Sequence, residues 1–109
     1  MNSNEYSLLG LCRKASKLSM GHDMCKGAIR SGKARLCIVS AESSERVTEE
    51  FMTLCREYGI RMFKLPLKID EIHHLIGYKA GVITVDDSGF AESVVKSFNK
   101  NTFVEEISL

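Results

Sequence analysis

Residues 20–40 read MGHDMCKGAIRSGKARLCIVS, and this stretch decides the fold. In its first half the apolar residues recur at helical spacing, as Met24, Cys25, Ala28 and Ile29. Gly32 then supplies the backbone freedom with which many helices end. Residues 36–39 form a continuous apolar run, which is typical of a strand covered on both faces. We therefore predict a helix over residues 22–31, followed by a buried strand over residues 34–40.

Helices and strands continue to alternate on both sides of this stretch. Toward the N-terminus, an apolar stripe predicts a helix over residues 4–18, and a brief alternation predicts a short strand over residues 17–20. Toward the C-terminus the pattern predicts, in order, a helix capped by Ser43 or Ser44 and ended by Gly59, a strand over 60–65, a short helix capped by Asp70 and ended by Gly77, a strand over 82–85, and a helix capped by Asp87 or Ser88. No pattern predicts the structure of residues 100–109. The alternation indicates a sheet enclosed between helical layers, in a single α/β domain over residues 1–109.

The composition is that of a small globular domain. The chain has 109 residues, of which 44% are hydrophobic and 27% charged, enough for one domain with its own core. Its four cysteines contain no Cys-x-x-Cys pair, and each lies in an apolar stretch, so we expect reduced and buried thiols. The sequence contains neither the pattern of a signal peptide nor an apolar run of membrane length. We therefore expect a cytoplasmic protein with no membrane partner.

The positive charge of the chain is concentrated in its first third, although the net charge is only +1. Residues 1–40 contain seven Lys and Arg against two acidic residues, a net charge of +5, whereas residues 41–109 contain eight against twelve, a net charge of −4. Such a distribution indicates either a face that attracts a polyanion or a basic helix face that is simply solvated. Charge alone does not separate these two interpretations.

The sequence offers no complete catalytic or metal-binding motif. It has neither a G-x-x-x-x-G-K-[ST] phosphate loop nor a G-x-G-x-x-G turn. His73 and His74 are adjacent, so on a helix they point about 100° apart and chelate one ion poorly. Helix capping explains the Asp86-Asp87 pair, and nothing completes a catalytic group around His22. We expect no cofactor, no metal, no small-molecule substrate and no enzymatic activity.

The predicted helix over residues 22–31 combines features that attract phosphate. Its N-terminus, opened by Gly21, offers free backbone amides and the positive end of the helix dipole. Lys26 and Arg30 lie four residues apart and therefore on one face, and a Gly-Lys-Ala-Arg turn that contains Lys33 follows. Together these features predict an anion site without a catalytic group, suited to the phosphates of a bent or irregular RNA.

The order of these features resembles the kink-turn-binding ribosomal protein superfamily, and in particular its small bacterial YlxQ-type group. The main matching motif is Ala28 to Leu36, which follows a glycine and a short basic helix. Further matches are Leu8 to Leu11 with Arg13 to Ala15, Ile76 to Ala80, and Asp87 to Ala91. The resemblance spans about residues 7–98, and it implies a three-layer α/β/α sandwich with a small mixed sheet of about four strands.

The resemblance also implies that the protein binds RNA bends built on tandem sheared G·A pairs. In the family, the start of the second helix contacts guanine edges, and a loop before the last strand covers a flipped-out nucleotide. On this chain the first region contributes Gly21, His22, Asp23, Met24, Lys26, Gly27, Arg30 and Lys33, and the second contributes Gly77, Tyr78, Lys79 and Ala80. The polar pair of the family falls on Asp23 and Met24, and its lysine falls on Gly27.

Two functions are compatible with these observations. The first is a non-catalytic RNA-binding protein in a ribosomal or RNA-processing context, whose partner is a ribosomal RNA or another kink-turn RNA, with or without ribonucleoprotein partners. The second is a protein-interaction adaptor on the same fold, which uses the acidic residues 41–109. Tyr78 also has two interpretations, a platform on which a base stacks or a partly buried side chain with its hydroxyl at the surface.

Overall fold

The computed structural model describes residues 6–109, which form five helices and five strands. The helices are α1 (Ser7–Lys14), α2 (His22–Arg30), α3 (Glu45–Tyr58), α4 (Ile69–Ile76) and α5 (Ser88–Asn99). The strands are β1 (Leu18–Met20), β2 (Leu36–Ser40), β3 (Arg61–Leu65), β4 (Val82–Val85) and β5 (Glu105–Glu106). Within residues 6–109, no helix has both the length and the apolar character that a membrane span requires.

The five strands form one mixed sheet in the order β1-β4-β2-β3-β5. Strands β2 and β3 are parallel, whereas the pairs β1–β4, β2–β4 and β3–β5 are antiparallel. The register brings Met20 and Val82 to one end of the sheet, and Leu18, Leu36 and Val85 to the other. We name the first the Gly21 end, because Gly21 directly follows Met20, and the second the far end.

Helical layers cover both faces of this sheet. Helices α2 and α3 pack on one face, and α1, α4 and α5 pack on the other. Strand β2 supplies both cores because its side chains alternate: Cys37 and Val39 join the first, and Leu36 and Ile38 join the second. The whole strand is buried, as its continuous apolar run predicts. The three-layer α/β/α sandwich with a mixed sheet is thus confirmed, although the sheet has five strands rather than about four.

The additional strand, β5, lies in the C-terminal segment for which the sequence predicts no structure. Glu106 and Glu105 pair with Phe63 and Lys64 of the neighbouring strand, and the guanidinium of Arg61 donates two hydrogen bonds of 2.7 Å to the Glu106 carboxylate. These bonds lower the pKa of Glu106. Two exposed acidic residues carry no strand pattern, so only the contacts with β3 create this strand.

Two helices begin at the caps that the sequence predicts. At the start of α3, the Ser44 hydroxyl accepts a hydrogen bond from the amide of Val47 at 3.1 Å. At the start of α5, the Asp87 carboxylate accepts one from the amide of Phe90 at 2.8 Å. In both cases a short polar side chain satisfies a first-turn amide that has no partner within the helix.

The predicted cap of α4 is wrong. The helix begins at Ile69, and Asp70 lies inside its first turn rather than before it. The Ile69 amide donates instead to the carboxylate of Glu42 at 2.7 Å, and the Lys68 amide donates to Glu71 at 3.0 Å. Since Glu42 comes from the loop between β2 and α3, the pattern around residue 70 could not indicate this cap.

Helix α1 is shorter than the predicted range of residues 4–18. Residues 4 and 5 lie outside the described residues, and the helix ends at Lys14. Ser16 then adopts a left-handed conformation with φ 59°, which stops the helix and turns the chain toward the sheet. Leu18, which lies in both the predicted helix over residues 4–18 and the predicted strand over residues 17–20, consequently belongs to β1.

All four cysteines are buried, as expected from their apolar surroundings. Burial raises the pKa of Cys25 to about 12 and that of Cys12 to about 11. Because the thiolate is the reactive form, these two side chains act as small apolar groups near neutral pH.

Candidate nucleic-acid interface

Gly21 brings the two predicted parts of the site together. It connects β1 to α2 with φ 92° and ψ 163°, a conformation open almost only to glycine. Its amide donates to the carbonyl of Val82 at 2.9 Å, which ties the start of α2 to β4. A Cβ atom built on Gly21 would lie 3.8 Å from the hydroxyl oxygen of Tyr78. The turn before α2 and the loop before β4 are therefore neighbours at the Gly21 end.

The start of α2 is open to solvent. No side chain caps the helix, so the amides of its first turn lack an acceptor within the helix. The Asp23 side chain is fully exposed, and Met24 is 65% exposed. The helix thus presents amides, one carboxylate and one thioether at the same surface.

The loop before β4 contributes Tyr78 and Lys79 to this surface but not Ala80. Gly77 ends α4 with a left-handed φ of 73° and directs the chain outward. Tyr78 is 46% exposed, which leaves part of its ring open beside Gly21. The ammonium of Lys79 lies 3.4 Å from the carboxylate of Asp70, with both side chains exposed. Ala80 is buried in the core, with only 4% of the residue exposed, so the expected contact of Ala80 with RNA is not supported.

Lys26 is not the free cation that the sequence suggests. Its ammonium lies 2.6 Å from one carboxylate oxygen of Glu50, on α3, and the other oxygen lies 2.7 Å from Nε2 of His22. The His22 ring also meets Phe51 edge-on, with ring centroids 5.5 Å apart. Hydrogen bonds from Lys26 and His22 lower the pKa of Glu50 to about 2. The ammonium that the sequence offers to a phosphate is therefore already paired with a carboxylate from α3.

The pKa of Glu50 predicts how the stability of the protein depends on pH. Because this pKa falls from 4.5 to about 2 on folding, the ionised carboxylate contributes its full stabilisation above pH 4.5. That contribution is lost as the pH falls toward 2, so the free energy of unfolding should decrease more steeply in wild type than in Glu50→Gln. Urea unfolding at several pH values in this window measures the difference. Glu106, whose pKa is also lowered, contributes equally to the pH dependence of both proteins. Parallel profiles would therefore show that Glu50 adds no pH dependence of its own and would contradict the lowered pKa of Glu50.

The remaining residues of the predicted site, Gly27, Arg30 and Lys33, are divided between two regions. Gly27 and Arg30 are exposed on α2, and nothing lies within 4 Å of a Cβ built on Gly27. Lys33 comes after the C-terminal end of α2, and its ammonium lies 4.0 Å from the carboxylate of Asp86. Nine helical residues span about 14 Å, so Lys33 lies at the far end and not beside Gly21. Lys33 thus follows α2 in the chain, but it does not lie on the same surface as the start of that helix.

Two carboxylates that shape these surfaces are not apparent from the sequence. Glu50 holds Lys26 and His22, and Asp86 accepts hydrogen bonds from the hydroxyls of Ser19 at 2.6 Å and Thr84 at 2.8 Å. The partners of Glu50 lie on another helix, and Ser19 lies on another strand. Helix capping, the sequence-based explanation for Asp86-Asp87, holds for Asp87 alone.

Comparison with known protein families identifies the family to which this fold and these site residues belong. The profile of the family described as "Ribosomal protein L7Ae/L30e/S12e/Gadd45 family" matches residues 4–95. The chain belongs to this family. The superfamily resemblance drawn from Ala28 to Leu36 and the accompanying motifs is therefore confirmed.

Two curated relatives of this L7Ae-family chain are both named "RNA-binding protein YlxQ". The one from Bacillus subtilis (strain 168) is 28% identical over 95 residues, which cover 83% of this chain and 90% of the relative. The one from Enterococcus faecium is 30% identical over 86 residues, which cover 79% and 82%. These relatives also confirm the resemblance to the YlxQ-type group.

Solved structures support the same fold. A protein of unknown function from Bacillus halodurans C superimposes with a TM-score of 0.83 at 25% identity, covering 90% of this chain and 99% of that one. The Giardia lamblia 15.5kD RNA binding protein gives a TM-score of 0.74 at 13% identity, covering 92% and 89%. At 13% identity the second likeness concerns the fold alone.

Proposed function

We propose that this L7Ae-family protein binds structured RNA, without catalysis, through the surface formed by the start of α2 and residues 77–79. The observation that carries the proposal is the position of Tyr78 beside Gly21, where a Cβ built on the glycine would lie 3.8 Å from the tyrosine hydroxyl. An exposed aromatic ring thus lies next to an uncapped helix start. The names of the two YlxQ relatives support RNA as the ligand. The same proposal includes the expected cytoplasmic location and a ribosomal or RNA-processing context.

The exposed groups match the needs of an irregular RNA. First-turn amides and the helix dipole attract a phosphate, and Asp23 can accept hydrogen bonds from the N–H groups of guanine. Tyr78 and Met24 are both large and exposed, and they offer apolar contact to a base that has left its stack. A regular A-form duplex hides the major-groove edges of its bases in a deep, narrow groove. This surface therefore favours a bend with accessible bases, and we propose a kink-turn with tandem sheared G·A pairs.

The adaptor function is supported by a different observation. Glu50 neutralises Lys26, which leaves less positive charge at the start of α2 than the sequence suggests. On this interpretation, a protein partner binds the acidic side chains that residues 41–109 contribute. Recovery of the same partners from nuclease-treated and untreated lysate would favour the adaptor, whereas their loss on nuclease treatment would favour RNA.

Titration of the purified protein with a kink-turn stem-loop tests the RNA proposal. We expect binding that weakens with salt by about 0.7 to 0.9 log units per log unit of salt for each phosphate contacted. Two such contacts predict roughly a tenfold loss of affinity between about 50 and 200 mM salt. Absence of binding at the lower salt concentration would contradict the proposal.

A further inference from the structure

A second group of basic residues surrounds the far end of the sheet. The Asp86 amide donates to the carbonyl of Lys17 at 2.8 Å, and the Arg35 amide donates to the carbonyl of Val85 at 2.8 Å. Lys33 reaches the same place through its 4.0 Å approach to Asp86. Three cations that are separate in sequence therefore meet around the C-terminal end of β4.

The end of α1 adds two more cations to this group. Arg13 and Lys14 form the last turn of the helix, and the amide of Lys17 donates to the carbonyl of Cys12 at 2.9 Å, which keeps that turn close to Lys17. The side chains of all five cations are exposed. We name this set the far-end basic surface; its members are Arg13, Lys14, Lys17, Lys33 and Arg35.

The two carboxylates that follow β4, Asp86 and Asp87, are bound by groups of the protein itself. The Asp86 side chain is 1% exposed and is held by Ser19 and Thr84. Asp87 is half-buried and caps α5 through the amide of Phe90. Among residues 6–109, Arg13, Lys14, Lys17 and Arg35 form no ion pair within 4.0 Å. Asp86 and Asp87 are thus engaged within the protein, whereas Glu92 of α5, which lines the same cavity as Arg35, is exposed and pairs with Lys96 at 3.6 Å. At the Gly21 end, by contrast, Glu50 pairs directly with Lys26.

We propose that the far-end basic surface binds the phosphate backbone of a regular RNA duplex, as a second site separate from the start of α2. The surface offers only cationic side chains, and the deep, narrow major groove of a regular RNA duplex keeps such side chains from its base edges. The surface therefore fits phosphates and carries no sequence preference. Since α2 separates the two sites by about 14 Å, one protein can hold a bent RNA at the Gly21 end and a helical segment at the far end. This inference does not depend on kink-turn recognition, because the far-end basic surface should bind a plain duplex that contains no bend.

The test uses a plain RNA duplex of about 16 base pairs and a variant that carries Arg13→Gln, Lys17→Gln and Arg35→Gln. The matched control carries Lys64→Gln, Lys68→Gln and Lys100→Gln, which remove the same charge elsewhere. At about 50 mM salt we expect the far-end variant to lose at least about tenfold in duplex affinity, and its salt slope to fall by about 0.9 for each phosphate contact removed. The control should stay within about threefold of wild type. Equal losses in both variants, or no duplex binding by wild type, would overturn the proposal.

A Gly21→Val variant separates this proposal from the proposed function, because the substitution alters the turn at the Gly21 end and not the far end. Its duplex affinity should stay within about threefold of wild type. An equal loss of duplex affinity in this variant and in the far-end variant would show that a single site serves both RNAs and would overturn the inference. If wild type binds the duplex at the far end but ignores the kink-turn RNA, the kink-turn proposal fails and the far-end surface stands. Thermal unfolding and circular dichroism of each variant confirm that it is folded.

Discussion

A Gly21→Val variant should bind a kink-turn RNA roughly ten- to a hundredfold more weakly than wild type while keeping the same fold. Valine cannot adopt φ 92° and ψ 163° without strain of about 1–3 kcal/mol, so the turn should relax away from this conformation. The expected range corresponds to the loss of about 1.4 to 2.8 kcal/mol of RNA contacts, since about 1.4 kcal/mol is a factor of ten in affinity. A Cβ at position 21 lies 3.8 Å from the hydroxyl oxygen of Tyr78. The two further methyl groups of valine would therefore crowd the tyrosine side chain. The turn must therefore shift, and with it the first amides of α2 and the Tyr78 ring. Fluorescence titration with labelled RNA measures the loss.

Gly59→Ala is the matched control for this prediction. Gly59 also has a positive φ, 67°, but it ends α3 and has open space around its Cβ position. The variant should lose stability through the same kind of backbone strain and retain its affinity for RNA. An equal loss of RNA affinity in both variants would indicate a general destabilisation and contradict a local role for Gly21.

Lys26→Glu and Glu50→Gln should change RNA affinity in opposite directions. The first replaces a cation by a second carboxylate beside Glu50, and we expect roughly tenfold weaker binding at low salt, because a favourable charge is lost and a repulsive one is added. The second releases the ammonium from its 2.6 Å contact and removes a negative charge from the surface. Affinity should then rise by up to about fivefold, the range expected for one solvent-exposed charge. Isothermal titration at two salt concentrations measures both changes.

Lys64→Glu provides the control for charge reversal away from the site, and it should change affinity by less than about threefold. If Lys26→Glu and Glu50→Gln both weaken binding, the RNA would need the intact Lys26–Glu50 pair rather than a free ammonium. The opposite signs are therefore the decisive feature of this experiment.

The sequence predicts the centre of the fold nearly residue by residue. Helix α2 and strand β2 carry strong and unambiguous periodicity, so the predicted ranges 22–31 and 34–40 differ from the structure by only a few terminal residues. The caps Ser44 and Asp87 are equally visible, because a capping side chain and the amide it binds are three residues apart.

Errors occur where a partner comes from elsewhere in the chain. The start of α4 depends on Glu42, and β5 depends on its pairing with β3, so neither leaves a local pattern. The same reason applies to the site. The motif indicates Gly21 and Tyr78, but only the fold shows that Glu50 covers Lys26 and that Lys33 approaches Asp86 at the other end of α2. The sequence thus proposes residues for the interface, whereas only the fold shows which of these residues share a surface.

Titration with two RNAs that differ only in their G·A pairs tests whether the start of α2 and Tyr78 recognise a bend. One RNA contains the tandem sheared pairs, and in the other these pairs are converted to Watson–Crick pairs, which straightens the helix. We expect at least about tenfold tighter binding to the first, since each good contact to a base is worth about 1–3 kcal/mol and the straight helix hides these base edges. Equal affinity for the two RNAs would show that the protein responds to phosphate charge alone, and that the surface around Gly21 does not recognise RNA shape.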